Sequence, residues 1–362
     1  MRIVYITDAL RVSGVARKSV AQASEWQRQG HEVWLATARH PQLMPLAAAR
    51  AQLDHEVGAR SFLERVRGEV DYRLLFATKL SAAARAHAID VVYTREVPMA
   101  VELPALLRRV PTVLEVNGDA LAELPRLGQR LVRRHVRGYE LSHAAGVVFV
   151  SHELQRRCRP GTPRRATVIA NPCPALDDAE LPTPMRPARP TLVMIGTLVH
   201  GWNGFDKMIT MAELLPQLDF VVVGAQLSGP PNLRSLPHLS QAEVNRVLRG
   251  CTVGVGSLAM HRTALEEASP LKSRNYLAVG LPIIQAYRDT DLTEADGCVL
   301  ALPNCEDNIR PQLARIADFA QRAYADPTLG ERARALARGR LSMAEKERAR
   351  LAFMRECSSA AR

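Results

Sequence analysis

The sequence predicts an α/β protein made of two Rossmann-like domains in tandem. Short apolar runs alternate with helical patterns in the first half of the chain, and the alternation starts again after residue 190. Such alternation is typical of parallel strands joined by helical crossovers. The segment between the halves, "NPCPALDDAELPTPMRPARP", is dense in proline and indicates a linker. The predicted boundaries are 1–172 for the N-terminal domain, 173–190 for the linker, 191–335 for the C-terminal domain and 336–362 for a C-terminal helix.

Each predicted element follows from its hydrophobic pattern. In the first half, the apolar runs predicted as strands are residues 2–7, 32–36, 89–93, 112–116, 146–150 and 167–170. In the second half, they are residues 191–195, 220–223, 251–255, 282–286 and 298–302. Helical spacing predicts helices over residues 16–29, 205–215, 241–249 and 270–279.

Composition limits the classes of protein that fit the chain. With 362 residues, 47% of them hydrophobic, the chain is long enough for two or three domains with packed cores. The net charge of +11 favours anionic partners, although general arginine enrichment without any partner explains it equally well. Only 5% of the residues are aromatic, which disfavours stacking on single-stranded nucleic acid. The six cysteines form no CxxC pair and no histidine spacing suits a metal, so we expect neither a metal site nor a disulfide framework.

Cellular location is predicted from the absence of long apolar segments. The apolar runs are far shorter than a membrane span needs, and the first residues, "MRIVYITDAL", have no signal-peptide pattern. We therefore expect a cytoplasmic protein. Five arginines on one face of a helical pattern would offer a peripheral contact with an anionic membrane or a lipid-linked acceptor at the inner membrane face, but a solvated face is the favoured interpretation. These arginines are Arg126, Arg130, Arg133, Arg134 and Arg137.

The stretch "EEASPLKSRNYLAVGLPII" carries the strongest site pattern. Ser269 suits an N-cap, and Pro270 suits the first helical position. Because this helix follows a strand, its N-terminus lies at the carboxyl end of the sheet and favours an anion there by roughly 0.3–1 kcal/mol. Lys272 adds a positive charge in the first turn, while Glu267 is a good acceptor for hydroxyl groups. An ordinary capped helix with solvated charges fits the spacing as well.

The same stretch resembles the signature of retaining glycosyltransferases of the GT-B fold, in the large glycosyltransferase family four. That signature is a Glu, seven residues, a second Glu and an apolar helix that ends in Gly-x-Pro. Glu267 matches the first Glu, whereas the second position is Asn275. Further segments are similar to the family in the expected order, over about 300 residues. They are "VSGVARKSVAQASEWQRQGHEVWLAT" (12–37), "LEVNGD" (114–119), "VVFVSHEL" (147–154), "VIANP" (168–172), "MIGTLVHGWNGFDKMITMAELLP" (194–216) and "FVVVGA" (220–225).

The resemblance implies a GT-B fold, with two Rossmann-like domains facing each other across a cleft. It implies retaining, metal-independent transfer of a sugar from a UDP- or GDP-linked nucleotide sugar, without a cofactor. The acceptor would be a hydroxyl group of a glycan, a lipid-linked intermediate or a natural product. The catalytic residues would be Glu267, which would contact the hydroxyl groups of the donor sugar, and Lys272, which would face the donor diphosphate. The donor-binding residues would be Gly14, Gly196, Thr197, His200, Asn203, Lys207, Ser269, Pro270, Leu271 and Asn275, and the acceptor side would include Asn117 and Asp119.

Three positions depart from the family pattern and leave alternatives open. Thr197 and Asn203 stand where many members carry basic residues that bind the diphosphate, and Asn275 lacks the charge of the second Glu. Lys207 or His200 would substitute, unless Lys207 is only a solvated helix residue. The alternative function is a catalytically weakened or inactive GT-B protein that acts as a binding or scaffold partner. A nucleotide-sugar epimerase is a second rival. A nucleic-acid partner would rest on charge alone and is not expected.

Short motifs elsewhere have plainer interpretations. Asp289 and Asp291 imitate the metal-binding DxD of the other glycosyltransferase fold, but a loop after a late strand is the favoured interpretation. Gly14 stands alone where a dinucleotide-binding protein would have GxGxxG, which disfavours a dehydrogenase. The "VNGD" of Asn117 and Asp119 is by itself a turn signal after a strand.

Overall fold

The structure, a computed structural model, divides into two compact units. Unit 1 comprises Met1–Ile169 and Lys346–Arg362, and unit 2 comprises Ala170–Glu345. The structure describes residues 1–7, 14–37, 40–49, 82–96, 110–119, 127–157, 165–176, 185–198 and 200–359, with the backbone alone at 37, 40–42, 127–130 and 132. The division near residue 170 lies close to the predicted end of the first domain. The end of the chain, from residue 346, belongs to unit 1 rather than forming a separate element.

A seven-stranded sheet forms the described part of unit 1. Its strands are β1 (Arg2–Thr7), β2 (Glu32–Thr37), β3 (His40–Pro45), β4 (Val91–Arg95), β5 (Thr112–Val116), β6 (Gly146–Phe149) and β7 (Ala166–Val168), with helices α1 (Gly14–Arg28), α2 (Leu127–His143) and α3 (His152–Arg157). The order is β3-β2-β1-β4-β5-β6-β7, and all neighbours are parallel except β2 and β3. The strand β3 was not predicted, because its sequence "HPQLMP" contains two prolines. Prolines are tolerated there because β3 is an edge strand.

A six-stranded parallel sheet forms the described part of unit 2, and β12 and β14 pair separately. The strands are β8 (Thr191–Ile195), β9 (Asp219–Val223), β10 (Leu233–Leu236), β11 (Val253–Val255), β12 (Glu267–Ala268), β13 (Ile283–Gln285), β14 (Arg288–Asp289) and β15 (Val299–Ala301). The helices that follow α3 are α4 (Phe205–Leu214), α5 (Gln241–Arg249), α6 (Leu271–Val279), α7 (Leu313–Ala325), α8 (Thr328–Arg338) and α9 (Met343–Ser359). The sheet order is β10-β9-β8-β11-β13-β15.

The order of the second sheet reverses between β8 and β11. From β8 the chain proceeds to β9 and β10 on one side, and from β11 it proceeds to β13 and β15 on the other. Ligands of open parallel sheets bind outside the carboxyl ends of the strands at such a switch point. The connections that leave β8 and β11 here carry Thr197, His200, Asn203, Glu267 and Lys272. The predicted α/β fold with two Rossmann-like domains is confirmed, while the cleft between them stays a prediction.

The C-terminal helix α9 completes the core of unit 1. Leu351, Met354 and Cys357 are buried in one cluster with side chains of β1, β4, β5 and β6. Gly146 permits this packing, because a Cβ there would lie 2.4 Å from Cys357 Sγ and 2.8 Å from the Phe353 ring. Burying a large aliphatic side chain contributes about 1.5–3 kcal/mol, so α9 stabilises the first unit although it follows the second in sequence.

Candidate functional site

The loop after β8 is closed by Asn203. Its side-chain amide Nδ2 donates to the Thr197 carbonyl oxygen at 3.0 Å. A Cβ on Gly196 would lie 2.9 Å from the same Nδ2, so a glycine is needed where the amide closes the turn. Gly204 follows with φ of 76°, a left-handed conformation, and is the N-cap of α4. Three of the predicted donor-binding residues, Gly196, Thr197 and Asn203, therefore form one turn.

The N-terminus of α6 differs from the prediction at its cap. Pro270, not Ser269, is the N-cap residue, and among the described residues no side chain caps the first turn. The Ser269 hydroxyl instead accepts hydrogen bonds from the backbone N–H of Asn171 and from Arg274 Nη2, both at 2.9 Å. A buried guanidinium requires acceptors, and the Ser269 hydroxyl accepts from Arg274 instead of from the backbone of the helix. The helix tip thus keeps its partial positive charge and its N–H groups for another acceptor.

Lys272 brings a full positive charge to the same helix tip. Its Nζ donates to Asn203 Oδ1 at 2.5 Å, and no carboxylate in the described part of the chain pairs with it. Burial lowers the pKa of Lys272 to about 7, because no negative charge compensates for the lost water. Asn203 thus joins the loop after β8 to α6 through a neutral partner. The uncompensated ammonium group favours an anionic ligand.

Glu267 is positioned by the short strand pair of β12 and β14. In the register of this pair it lies beside Arg288, whose Nη2 is 3.5 Å from Glu267 Oε2. Glu267 is only 3% exposed, which excludes the interpretation that it is a solvated charge. It precedes Lys272 by five residues on the same connection from β11. A buried carboxylate is a strong acceptor for hydroxyl groups, which is the chemistry predicted for this position.

Asp289 and Asp291 surround an arginine rather than a metal. Arg274 Nη2 lies 2.8 Å from Asp289 Oδ1 and Nη1 lies 3.1 Å from Oδ2, so the pair is bidentate, with both side chains buried. Asp291 Oδ2 lies 3.5 Å from the same Nη2. Within the described residues, no group of three or more His, Cys, Asp and Glu side chains is arranged to hold a metal ion. These contacts indicate a structural role for the motif, with Asp289 in strand β14 rather than in the predicted loop.

Lys207 holds a neighbouring loop in place. Its Nζ donates to the carbonyl oxygens of Cys305 and Glu306 at 2.8 and 2.7 Å, and to Asn308 Oδ1 at 2.9 Å. An ammonium group has three hydrogens, and all three have acceptors here. Lys207 is 4% exposed, so it is not a solvated helix residue either. This geometry favours a structural role over the predicted contact with a diphosphate.

The remaining predicted donor residues of unit 2 border the helix tip. The exposed His200 ring stacks on Trp202, with centroids 4.1 Å apart. Partial burial, and secondly the charge of Lys272, lower the pKa of His200, so its imidazole is a neutral hydrogen-bonding group near pH 7. Leu271 and Asn275 are half-buried on α6. Asn275 lies three residues after Lys272, at the spacing that places two side chains on one helix face.

An ion-pair cluster that was not predicted from the sequence joins the neighbouring loops. Arg262 Nη2 lies 2.7 Å from Asp206 Oδ2 and also contacts Glu306, whose Oε2 lies 2.6 Å from His261 Nε2. The cluster ties the loops after β11 and β15 to the first turn of α4. No local motif signals it, because Arg262 is 56 positions from Asp206 and 44 from Glu306.

Of the predicted acceptor-side residues, Asn117 lies beside a buried carboxylate in unit 1. Glu115 Oε1 accepts from Asn117 Nδ2 at 2.7 Å and from Lys18 Nζ at 2.6 Å, and Oε2 accepts from the Tyr93 hydroxyl at 2.6 Å. Burial alone would raise the pKa of Glu115, but the charges of Lys18 and of two arginines lower it. Asp119 Oδ1 lies 3.5 Å from Arg137 Nη1. Gly14, also in unit 1, is the exposed first residue of α1.

The predicted arginine face is not a single surface. Arg133 and Arg137 are buried, with Arg133 Nη2 and Arg137 Nε at 2.7 and 2.6 Å from Glu96 Oε1. A membrane contact through these two residues is therefore wrong, because their charges are compensated inside the protein. Arg134 is exposed, whereas Arg126 and the side chain of Arg130 lie outside the described residues. Among the described helices, none combines the length and the hydropathy needed to cross a bilayer.

A family model matches part of the chain, and several solved structures match nearly its full length. Residues 12–174 match the model of a family described as Glycosyltransferase Family 4. No curated protein matches the sequence. Among solved structures, sucrose-phosphate synthase from Thermosynechococcus elongatus matches with a TM-score of 0.68 at 10% identity, over 99% of this chain and 100% of that chain.

Two further structures were solved with nucleotides. HepE of Anabaena, in complex with UDP and glucose, matches with a TM-score of 0.67 at 16% identity, over 98% of this chain and 99% of that chain. An alpha-glucosyltransferase in complex with UDP and a 13-mer DNA matches with a TM-score of 0.61 at 15% identity, over the same shares of the two chains, 98% and 99%. At these identities the likeness shows the fold alone. The chain therefore has the two-domain α/β fold of GT-B glycosyltransferases, and its residues 12–174 are similar to Glycosyltransferase Family 4.

Proposed function

We propose that the chain is a retaining glycosyltransferase that moves a sugar from a nucleotide-sugar donor to a hydroxyl acceptor. The observation that carries the proposal is the environment of Lys272. Its ammonium group is held by a neutral amide beside an uncapped helix tip, at the switch point of a parallel sheet. The match of residues 12–174 to the Glycosyltransferase Family 4 model supports the same reaction class.

The leaving diphosphate would be stabilised by the tip of α6 and by Lys272. Negative charge grows on this group as the bond to the sugar breaks, so fixed positive groups aimed at it lower the barrier. The first-turn N–H groups are free of a side-chain cap, and the ammonium is anchored by Asn203. A phosphate oxygen of the leaving group can take the acceptor's proton, so the reaction does not require a protein base.

Glu267 would hold the hydroxyl groups of the donor sugar. Its buried carboxylate precedes the phosphate-binding helix tip on the same connection, and its backbone is fixed by β14. Asn275, farther along α6, would bind the ribose as an uncharged donor and acceptor. On the acceptor side, Asn117 and Asp119 would position the attacking hydroxyl.

The first test is donor binding by calorimetry with UDP and UDP-glucose. UDP-glucose is chosen because HepE, which has the same fold, was solved with UDP and glucose. Lys272→Met should weaken the binding of both ligands, whereas Glu267→Gln should weaken UDP-glucose alone, because it touches only the sugar. Lys346→Met, on α9 of unit 1, is the matched control. Equal affinities in Lys272→Met and the unmodified chain would contradict the proposal.

A second test identifies the reaction. The release of nucleotide is measured with UDP-, GDP- and TDP-sugars, with and without hydroxyl acceptors. Transfer with retained configuration at the anomeric carbon is the expected result. Conversion of the donor sugar without any acceptor would indicate an epimerase instead.

A binding protein of the same fold is the alternative, and the structure adds one observation that favours it. Thr197 and Asn203 lack the charge of the family pattern, and Lys207, the nearest substitute, gives all its hydrogens to a loop. Lys272 is then the principal cation of the described donor site. Nucleotide binding without turnover on any acceptor would identify this alternative, because only interactions that are stronger in the transition state than in the ground state accelerate the reaction.

A further inference from the structure

A cavity in unit 2 lies at the amino ends of β11 and β13, the edge of the sheet opposite to the candidate donor site. Thr252 and Pro282, which immediately precede these strands, line it. Its volume is about 450 Å³, within the usual range for pockets that bind small molecules. Tyr324 on α7 and Leu281 add to its wall. The cavity is therefore distinct from the donor site, and a ligand bound in it would be independent of the proposed function.

Three arginines line this cavity against one carboxylate. They are Arg186 from the linker, Arg249 at the end of α5 and Arg334 on α8, and the carboxylate is that of Glu331. In the described part of the chain, the buried Nε of Arg334 has no hydrogen-bond partner, and its guanidinium has no ion pair. Buried guanidinium nitrogens normally have acceptors, so the unsatisfied group calls for one. An anion in the cavity would compensate the charge of this guanidinium.

The position of Arg334 is set by backbone packing. Gly280, the C-cap of α6, has φ of 89°, and a Cβ there would lie 2.6 Å from Arg334 Nε. A Cβ on Gly330 would lie 2.8 Å from the carbonyl oxygen of Gly280. Two glycines thus let the end of α6 approach α8 closely. The guanidinium is held against this junction, at the wall of the cavity, and is preorganised for a ligand.

We propose that this cavity is a second binding site, for a small phosphorylated sugar. Arginine forks match the geometry of a phosphate group, and Glu331 is an acceptor for sugar hydroxyls. A nucleotide is disfavoured because the one aromatic ring of the cavity wall is already covered. Arg186 lies over Tyr324, with its guanidinium carbon 4.5 Å from the ring centroid, which leaves that face closed to a base.

The test is calorimetry on the whole chain with three probes: glucose 6-phosphate, inorganic phosphate and glucose. Glucose 6-phosphate should bind saturably, inorganic phosphate more weakly and glucose not at all. Arg334→Gln should weaken the binding of glucose 6-phosphate roughly tenfold or more, as expected for the loss of a charge-assisted hydrogen bond. Arg338→Gln, one turn farther along α8 and exposed, is the matched control and should leave the binding unchanged.

Two additional variants separate this site from misfolding and from the donor site. Arg186→Gln changes an exposed side chain, so it should weaken binding without lowering the melting temperature. Lys272→Met should leave the binding of glucose 6-phosphate unchanged. The proposal is overturned if neither phosphorylated probe binds below about 10 mM. It is also overturned if Lys272→Met abolishes binding while Arg334→Gln and Arg186→Gln do not.

Discussion

Two lysines, one in each unit, show how the partner of a desolvated charge determines whether that charge is structural or available to a ligand. Lys18 is 6% exposed and lies 2.6 Å from Glu115 Oε1, and burial, opposed by that carboxylate, lowers its pKa to about 8. Lys272 is half-buried and has only the amide of Asn203, and its partial burial lowers its pKa to about 7. Lys18 is compensated inside the protein and is therefore structural. Lys272 lacks a compensating charge and is suited to a ligand that brings one.

The cluster around Lys18 extends to the end of the chain. Arg350 on α9 lies 3.4 Å from Glu115 Oε2 and also contacts Glu347. Trp26 Nε1 donates to Glu347 Oε2 at 2.7 Å. Buried ion networks of this kind are sensitive to the loss of one member, because the others are left buried without compensation.

The largest effect is expected for Glu115→Ala. This change leaves the cations of Lys18 and Arg350 without the carboxylate between them, and should lower the free energy of unfolding by about 3–5 kcal/mol. Urea denaturation measures the loss. Glu32→Ala is the control, since the side chain of Glu32 is 64% exposed and its pair with Arg2 is 3.5 Å long. Equal stability losses in the two variants would contradict the structural role of the cluster.

The same substitution at the two lysines should change the melting temperature in opposite directions. Lys18→Met leaves Glu115 without its closest cation and should lower the melting temperature. Lys272→Met removes a half-buried charge that has no counter-ion and should raise the melting temperature, while weakening UDP-glucose binding by roughly 10- to 100-fold. Thermal denaturation and calorimetry on both variants make the comparison. A lower melting temperature in Lys272→Met would show that its charge is compensated after all.

Donor binding should weaken as the pH rises above 7. Free Lys272 loses its proton above its pKa of about 7, whereas a bound diphosphate favours the charged form, so binding takes up a proton. The affinity for UDP-glucose should then fall by up to about tenfold per pH unit until the pKa of the complex is reached. Calorimetry between pH 6 and 9 tests this, with Lys272→Met as the variant that should lose the slope. A wild-type affinity independent of pH would contradict the prediction.

The smallest effect is expected for a change in the partner of Lys272. Asn203→Asp places a carboxylate beside the ammonium and removes the amide that donates to the Thr197 carbonyl oxygen. The carboxylate should raise the pKa of Lys272 and compensate its charge, and the two changes together should weaken UDP-glucose binding roughly fivefold. Asn275→Glu makes a similar amide-to-acid change on α6 and restores the family pattern, so it should strengthen binding instead. Calorimetry with UDP-glucose on both variants shows whether the affinity depends on where the negative charge is added or only on the added charge itself. Weakening by both variants would indicate simple repulsion of the diphosphate.

Much of the fold could be predicted because its signals are local. The runs over β1, β5 and β8 are nearly continuous apolar segments, as expected for strands buried on both faces. The edge strands β3 and β10 were missed because their burial is partial and their sequences, "HPQLMP" and "LRSL", carry no clear period. Edge strands pack on fewer neighbours, so their composition is less constrained.

The candidate site could be predicted in its positions but not in its contacts. Glu267 and Lys272 follow from a helix start and a family signature, and both lie at the switch point. Ser269 was misassigned as a cap because its preference for that position is local, whereas the demand of Arg274 for its hydroxyl arises from packing. The contacts of Lys207 could not be predicted for the same reason: its acceptors lie 98 to 101 positions away.

The sequence by itself determined where strands alternate with helices, where α6 begins to within one residue, and which residue types stand at its tip. These features depend on periodicity, proline and glycine, which act over a few residues. Only the tertiary structure decided which charges are compensated: Lys18 by Glu115, Arg274 by Asp289, and Lys272 by none of the described carboxylates. The physical reason is that a buried charge is stabilised by groups close in space, and the fold brings them from distant parts of the chain.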